Sequence, residues 1–345
     1  MSKVTSTITS RKDRDNQQTG LPRYTRPVSG ILSYLPASWV PFGELARIDR
    51  PTGIYLFYLP HLFGTLYATS AGSHVSLSLS DIVYKNAILF AGTVSFRAAA
   101  CSWNDSLDYE YDRQVLRCRL RPVARGAVTL SQAHIFTVFL TSLALAFLYL
   151  LPRSCWAVSL PSIFLLALYP FAKRFTDFPQ TILGIQVGIG FFLGAAAIDD
   201  GCFKDISSFA ALRSNRNIQA MIAFYLANAC WTVVYDTVYA QQDVEDDLKA
   251  GVRSIAVKFR GRTRALLWGV SSIVVAMLLA SGSLQNFGYG YITVTCGGTM
   301  TSLSYMLSTI DFTAPTECAW WFRNGTWFVG SSISGGLILE ILRVR

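Results

Sequence analysis

From residue 53 onward the chain alternates between apolar runs of about twenty residues and short polar breaks. The runs cover roughly 53–69, 85–102, 130–151, 154–171, 179–199, 218–240, 264–282, 288–309 and 324–341, each near the length that crosses a bilayer as a helix. The pattern predicts an all-α, polytopic membrane helical bundle of about nine transmembrane helices, built from residues 41–345. Pro60 in the first run predicts a kink, and Gly184, Gly188, Gly190 and Gly194 in the fifth predict a close helix contact. Residues 1–40 are polar, then rich in Pro and Ser, and are expected to form a disordered arm.

The polar breaks are not equivalent. The second run ends in Asn104-Asp-Ser-Leu-Asp-Tyr-Glu-Tyr-Asp112, and the sixth leads into Asp243, Glu245, Asp246 and Asp247. In a helix, Asn104, Asp108 and Asp112 recur at i, i+4 and i+8, so their oxygens share one face, with Asp105 beside them. Such a face repels itself unless it holds a cation. With nine runs, both acidic stretches emerge on the side of the N-terminus, which also holds most of the basic residues. The positive-inside rule places that side in the cytosol, or in the matrix for a mitochondrial protein. The sequons at Asn104 and Asn324 lie on this side, where they are not expected to be modified.

Composition agrees with a membrane chain: of 345 residues, 52% are hydrophobic and only 15% charged, and mean hydropathy is +0.36. The net charge of +9 suggests anionic headgroups or a phosphorylated ligand. Nucleic acid is not expected, because the basic residues sit in short loops rather than on one stripe. Seven cysteines without CxxC spacing and three scattered histidines offer neither a disulfide frame, a zinc site nor a catalytic dyad.

Both acidic stretches run into basic ones: Arg113, Arg117, Arg119, Arg121 and Arg125 after the first, Lys249, Arg253, Lys258, Arg260, Arg262 and Arg264 after the second. Carboxylates that gather Mg2+, next to cations that bind what Mg2+ carries, make a diphosphate site. The bland alternative is that each cluster is a solvated loop with internal salt bridges; two matched clusters on one face weigh against it. Bound in this way, diphosphate becomes a better leaving group. An allylic diphosphate leaves a stabilised carbocation, which an apolar bundle interior keeps from water. A prenyl diphosphate fits such a site.

These residues also carry a family resemblance. Arg97–Gly126 (RAAACSWNDSLDYEYDRQVLRCRLRPVARG) is similar to the first aspartate-rich motif of the UbiA-type intramembrane prenyltransferases, NDxxDxxxD with a following RP and G. Asp236–Phe259 (DTVYAQQDVEDDLKAGVRSIAVKF) resembles their second motif, with Asp243 and Asp247 in the DxxxD positions, and LARIDRPTG and YPFAKR match as well. The likeness covers nearly the whole chain after the arm. It implies a nine-helix bundle and Mg2+-dependent transfer of a prenyl chain to an aromatic or similar acceptor. By position it assigns Asn104, Asp108, Asp112, Asp243 and Asp247 to magnesium and diphosphate, with Asp105 and Asp246 supporting. Arg97, Lys173 and Arg174 match positions that contact the diphosphate or the acceptor. Arg47 and Arg50 match a basic pair before the first span and could equally be interfacial anchors; Tyr169 could orient an acceptor or sit in the aromatic belt.

The run from Leu35 to Ala68 is more similar to fungal meroterpenoid prenyltransferases, which implies farnesyl diphosphate as donor and a polyketide-derived phenolic acid or pyrone as acceptor. The endoplasmic reticulum or another endomembrane is the expected location; Asp13 and Asp15 count against a mitochondrial transit peptide. The rival reactions are 4-hydroxybenzoate polyprenyl transfer in ubiquinone synthesis and, from another class, ion-coupled transport. A transporter should place its acids near mid-membrane and show related halves; here the acids lie at span ends and no repeat is evident.

Overall fold

The computed structural model describes residues 24–72, 78–202 and 214–344. Residues 1–23, more than half of the expected arm, lie outside these. Within the described residues the chain is helical, with no strand. A 3-10 turn, Ile31–Tyr34, precedes α1 (Val40–Leu45). There follow α2 (Thr52–Ser70), α3 (Leu79–Leu107), the one-turn α4 (Tyr109–Asp112), α5 (Leu130–Tyr149), α6 (Arg153–Phe175) and α7 (Pro179–Ile198). The second part contains α8 (Arg216–Ala240), the short α9 (Val244–Ala250) and α10 (Ile255–Lys258), α11 (Thr263–Gln285), α12 (Gly298–Thr309) and α13 (Pro315–Val344). A π-helical stretch, Tyr291–Gly297, runs directly into α12.

Six helices are long and apolar enough to cross a membrane by length and composition alone; they begin at Leu130, Arg153, Pro179, Arg216, Thr263 and Pro315. The other three predicted runs also fold as helix: α2, α3, and the rod Tyr291–Thr309. Of these, α3 carries Asp81, Lys85, Arg97 and Asp105 along its length.

Helix ends follow local chemistry. Ser78 and Asp81 form a capping box at the start of α3, as Thr129 and Gln132 do for α5, each pair satisfying amides that the first turn leaves without partners. Depth in the bundle differs from span to span. In the α7 span 61% of the residues are buried and in that beginning at Arg216 72%, against 11% in α5, which therefore lies at the rim.

The centre is an aromatic stack of Phe63, Tyr67, Phe191 and Phe224 from α2, α7 and α8. There α2 and α7 cross backbone on backbone: a Cβ at Gly194 would stand 2.0 Å from the His61 carbonyl oxygen, and one at Gly64 1.9 Å from that of Phe191. Only glycine permits this approach.

Candidate functional site

Both acidic stretches stand where a long helix ends. The axis of α3 is interrupted at Asp108, yet the i to i+4 bonding continues through it, from the Asp108 amide to Asn104 O (2.9 Å) and from the Asp112 amide to Asp108 O (2.8 Å). The predicted face thus survives with a kink. The second stretch follows α8 through a 3-10 turn at Gln241–Asp243 into α9. A helix C-terminus already bears partial negative charge, so acids placed there need cations nearby.

Arginines of the loop after α4 supply them. Arg117 Nε donates to Asp243 Oδ1 (2.8 Å) and Oδ2 (3.1 Å), its Nη1 to the Tyr239 hydroxyl (2.7 Å), and its Nη2 makes an ion pair with Asp243. Arg121 Nη1 donates to both Asp112 oxygens (2.9 Å) and to Asp105 Oδ1 (3.2 Å). The Leu116 amide donates to Asp246 Oδ2 (3.2 Å), a second tie between the two stretches. Burial works against the charge of both guanidiniums. For Arg117 the bonds to Asp243, and for Arg121 the carboxylates of Asp105 and Asp112, more than offset this and hold their pKa values above the ordinary one.

These groups enclose a cavity of about 240 Å³. Of the residues singled out by sequence, Asp108, Asp112, Asp243, Asp247, Tyr169 and Arg174 line it. Arg174 also donates to Leu107 O (2.9 Å) and stands 3.9 Å from Asp108. Asn104 lies one turn before Asp108; its Oδ1 is buried and has no hydrogen-bond partner among the described residues.

The remaining predicted residues stand behind the wall. Asp105, 1% exposed, accepts from Arg47 Nη2 at 2.9 Å on both oxygens as well as from Arg121. Arg47 does so from a left-handed backbone (φ 57°), which non-glycine residues adopt rarely. Buried Arg97 reaches the carbonyls of Ala46, Arg47 and Arg50 at 3.4–3.5 Å and so fills the turn between α1 and α2. Asp246 faces Leu116 and Lys249 rather than the cavity. Exposed Arg50 pairs with Asp49. Lys173 is in α6, but its side chain lies outside the described residues.

Sequence reasoning missed Asp236, Tyr239 and Gln180, which line the cavity too. Asp236 precedes Asp243 by seven residues, two helical turns, so spacing alone could have found it. Gln180 accepts from the Ile255 amide (3.0 Å) and anchors the end of the second stretch to α7; nothing in the sequence links them. The basic runs are used sparingly. Arg113 and Arg125 are bound to Ala124 O and Glu44, Lys258 to Asp177, Arg260 to Glu245, and Arg264 to the carbonyls of Leu307 and Ile310. Among those basic residues only Arg117, Arg121 and Arg253 line the cavity.

Five carboxylates line the cavity, and with the buried, partnerless Asn104 oxygen one turn before Asp108 they offer only oxygen donors, which suits Mg2+. Among the described residues no three acid, cysteine or histidine side chains converge closely enough to hold a bare ion. Magnesium held by one or two carboxylates and completed by substrate phosphate does not need such a cluster.

The sequence model of the UbiA prenyltransferase family matches residues 57–331. The chain is 36% identical over 285 residues, 83% of its length and 81% of the relative's, to prenyltransferase ascA of Acremonium egyptiacum. It is 34% identical to DMOA farnesyltransferase nvfB of Aspergillus novofumigatus, covering 81% of this chain and 84% of that one. Among solved structures it superposes on the apo UbiA homolog of Aeropyrum pernix K1 with a TM-score of 0.64 at 24% identity, over 83% of this chain and 97% of that one. On the UbiA homolog of Archaeoglobus fulgidus bound to DMAPP and Mg2+ the TM-score is 0.63 at 17% identity, over 88% and 100%. Two acidic helix ends joined by arginines around one cavity, in an all-helical apolar bundle whose sequence matches over most of its length, place the chain in the UbiA prenyltransferase family.

Proposed function

We propose that this membrane prenyltransferase moves a farnesyl group from farnesyl diphosphate to a polyketide-derived aromatic acid or pyrone, with Mg2+ as cofactor. The observation that carries the reading is the single cavity where Asp108, Asp112, Asp243 and Asp247 meet Arg117 and Arg121. Asn104 and these four aspartates would hold the metal, which when bound supplies positive charge to the leaving diphosphate. The farnesyl named for the Aspergillus novofumigatus relative supports the donor, and the metal bound to the Archaeoglobus homolog supports the cofactor.

The chain's own groups do the rest. Arg117, Arg121 and Arg174 offer N–H donors to phosphate oxygens as the allylic C–O bond breaks. The apolar bundle below excludes water from the cationic carbon. A ring carbon of the acceptor forms the new C–C bond, inorganic diphosphate leaves, and the ring proton passes to diphosphate, water or an acidic side chain. Tyr169, on the cavity wall, orients the acceptor. The reading sets the cavity at the cytosolic face of an endomembrane, as nine crossings with the basic loops inside would have it, with Asp105, Asp246, Arg47 and Arg97 supporting its walls.

The test is incubation of membranes containing the protein with farnesyl diphosphate and a panel of phenolic acids and pyrones, with and without a chelator. Prenylated product that disappears on chelation is expected. No product from any acceptor, with no effect of chelation, overturns the reading. Preferential use of 4-hydroxybenzoate with longer donors would move the enzyme to quinone synthesis.

A further inference from the structure

The stretch before α1 is fastened to the loop that carries the cavity arginines. Arg26 Nη2 donates to Leu35 O (2.9 Å), and Leu32, 2% exposed, packs so closely on α1 that a Cβ at Gly43 would stand 2.6 Å from it. This curl brings Tyr24 to Glu44 and Arg125. The Tyr24 hydroxyl donates to Glu44 Oε1 (2.8 Å), and the Arg125 guanidinium lies 3.8 Å from the centre of the Tyr24 ring, a cation–π contact. Arg125 Nη2 donates in turn to Glu44 Oε2 (2.5 Å). A ring, a carboxylate and a guanidinium thus close a triangle between the stretch, α1 and the loop.

Arg125 is the member that reaches the site. Its Nη1 donates to Leu120 O (2.6 Å) and its amide to Arg121 O (2.9 Å), so Arg125 holds the peptide groups on either side of Arg121. Arg121 is the cavity guanidinium bound to Asp105 and Asp112. To take a phosphate oxygen its side chain must turn from those carboxylates, and a fixed backbone limits where it can go. Apolar packing of Val123 and Val128 with Leu45 of α1 seats the loop. Such packing has no direction, whereas the stack and the hydrogen bonds of Arg125 do.

Tyr24 is 39% exposed, stands outside every apolar run and both aspartate-rich stretches, and does not line the cavity. We propose that Tyr24 is a positioning residue for the donor diphosphate: through Arg125 it holds the backbone of Arg121 in register with the cavity. The inference rests on the prenyl-transfer reading and adds to it a contribution from the chain ahead of the first helix.

The experiment measures KM for farnesyl diphosphate and for one acceptor, together with the rate of tryptic cleavage after Arg119, in the wild type, Tyr24→Ala and Tyr24→Phe. In Tyr24→Ala the KM for the donor is expected to rise about fivefold or more, with that for the acceptor unchanged, and cleavage of the loop to quicken. Tyr24→Phe keeps the ring under the guanidinium and should recover most of the donor KM. Tyr24→Leu, which has neither ring nor hydroxyl, carries the test if Tyr24→Ala fails to accumulate. Tyr34→Ala, at an 87% exposed position of the same stretch, should behave as the wild type. An unchanged donor KM in the folded variant, or an equal rise in both KM values, overturns the inference. If the wild type transfers no prenyl group, the prenyl-transfer reading fails, while the cleavage rates still decide whether Tyr24 holds the loop.

Discussion

Arg117 and Asp243 are 126 residues apart in the chain and share a bidentate ion pair. The pair closes the loop after the first aspartate-rich stretch onto the start of the second, so each stretch fixes the place of the other. Asp243→Ala removes a cavity carboxylate and also frees Arg117. It should abolish turnover, as should Asp108→Ala, while membrane insertion is retained. Full activity in either variant, measured on equal amounts of inserted protein, would contradict a site built from both stretches.

Arg117→Ala leaves Asp243 in place without its guanidinium partner. The expected result is a loss of about hundredfold in kcat/KM, comparable with removing one donor from an anion-stabilising site. A double-mutant cycle with Asp243→Asn should show strong non-additivity, because the two side chains act on each other. Simple additivity would mean that the pair is incidental.

Arg47 and Asp105 form a different kind of pair, buried behind the cavity. Removing Arg47 leaves Asp105 with Arg121 alone, and breaking a buried pair typically costs about 3 kcal/mol. Arg47→Ala should therefore lower thermal stability in detergent, with Arg47→Gln plus Asp105→Asn recovering part of the loss. An unchanged melting temperature for Arg47→Ala would remove the pair from the supports of the site.

Each cavity arginine already has a carboxylate partner in this structure. Mg2+ alone must compete with those guanidiniums, whereas diphosphate arriving with Mg2+ gives both sets of charges new partners. Thermal shift should be small with Mg2+ alone and small with inorganic diphosphate plus chelator, but several degrees with both. Equal stabilisation by Mg2+ alone would mean a preformed ion site.

Gly194→Ala tests the crossing of α2 and α7. The added Cβ falls on a backbone oxygen that cannot turn aside, so the variant should lose folded yield, seen as aggregation on size-exclusion chromatography. Normal monodisperse protein would show that the crossing can slide.

Much of this was legible in the sequence, and the rest for identifiable reasons was not. Apolar runs announce helices because a bilayer rewards length and hydropathy, and α5, α6, α7, α8, α11 and α13 meet both criteria. The recurrence of Asn104, Asp108 and Asp112 at helical spacing announced a shared face. Spacing does not say which cation meets which acid, so Arg117 and Arg121 could not be told apart from Arg113 and Arg125. Asp105 stands beside the shared face as a supporting residue, but spacing does not show that it turns toward Arg47. The glycines of the fifth run announced a close helix contact, but an all-apolar run has no polar face to show that His61 and Gly64 of α2 form its other side.

The position of α5 at the rim has a consequence for the enzyme in its bilayer. That helix is held along one flank by α3, where the Ser102 hydroxyl donates to Ala133 O (3.0 Å), and its other sides present Ile135, Val138, Phe139 and Leu143 to the surroundings. Acyl chains therefore complete its packing, and α3 is the helix that ends in Asn104 and Asp108. Bilayer thickness and the choice of solubilising detergent should thus reach the acidic helix end through α5, making turnover sensitive to the composition of a bilayer whose phospholipids are not reactants.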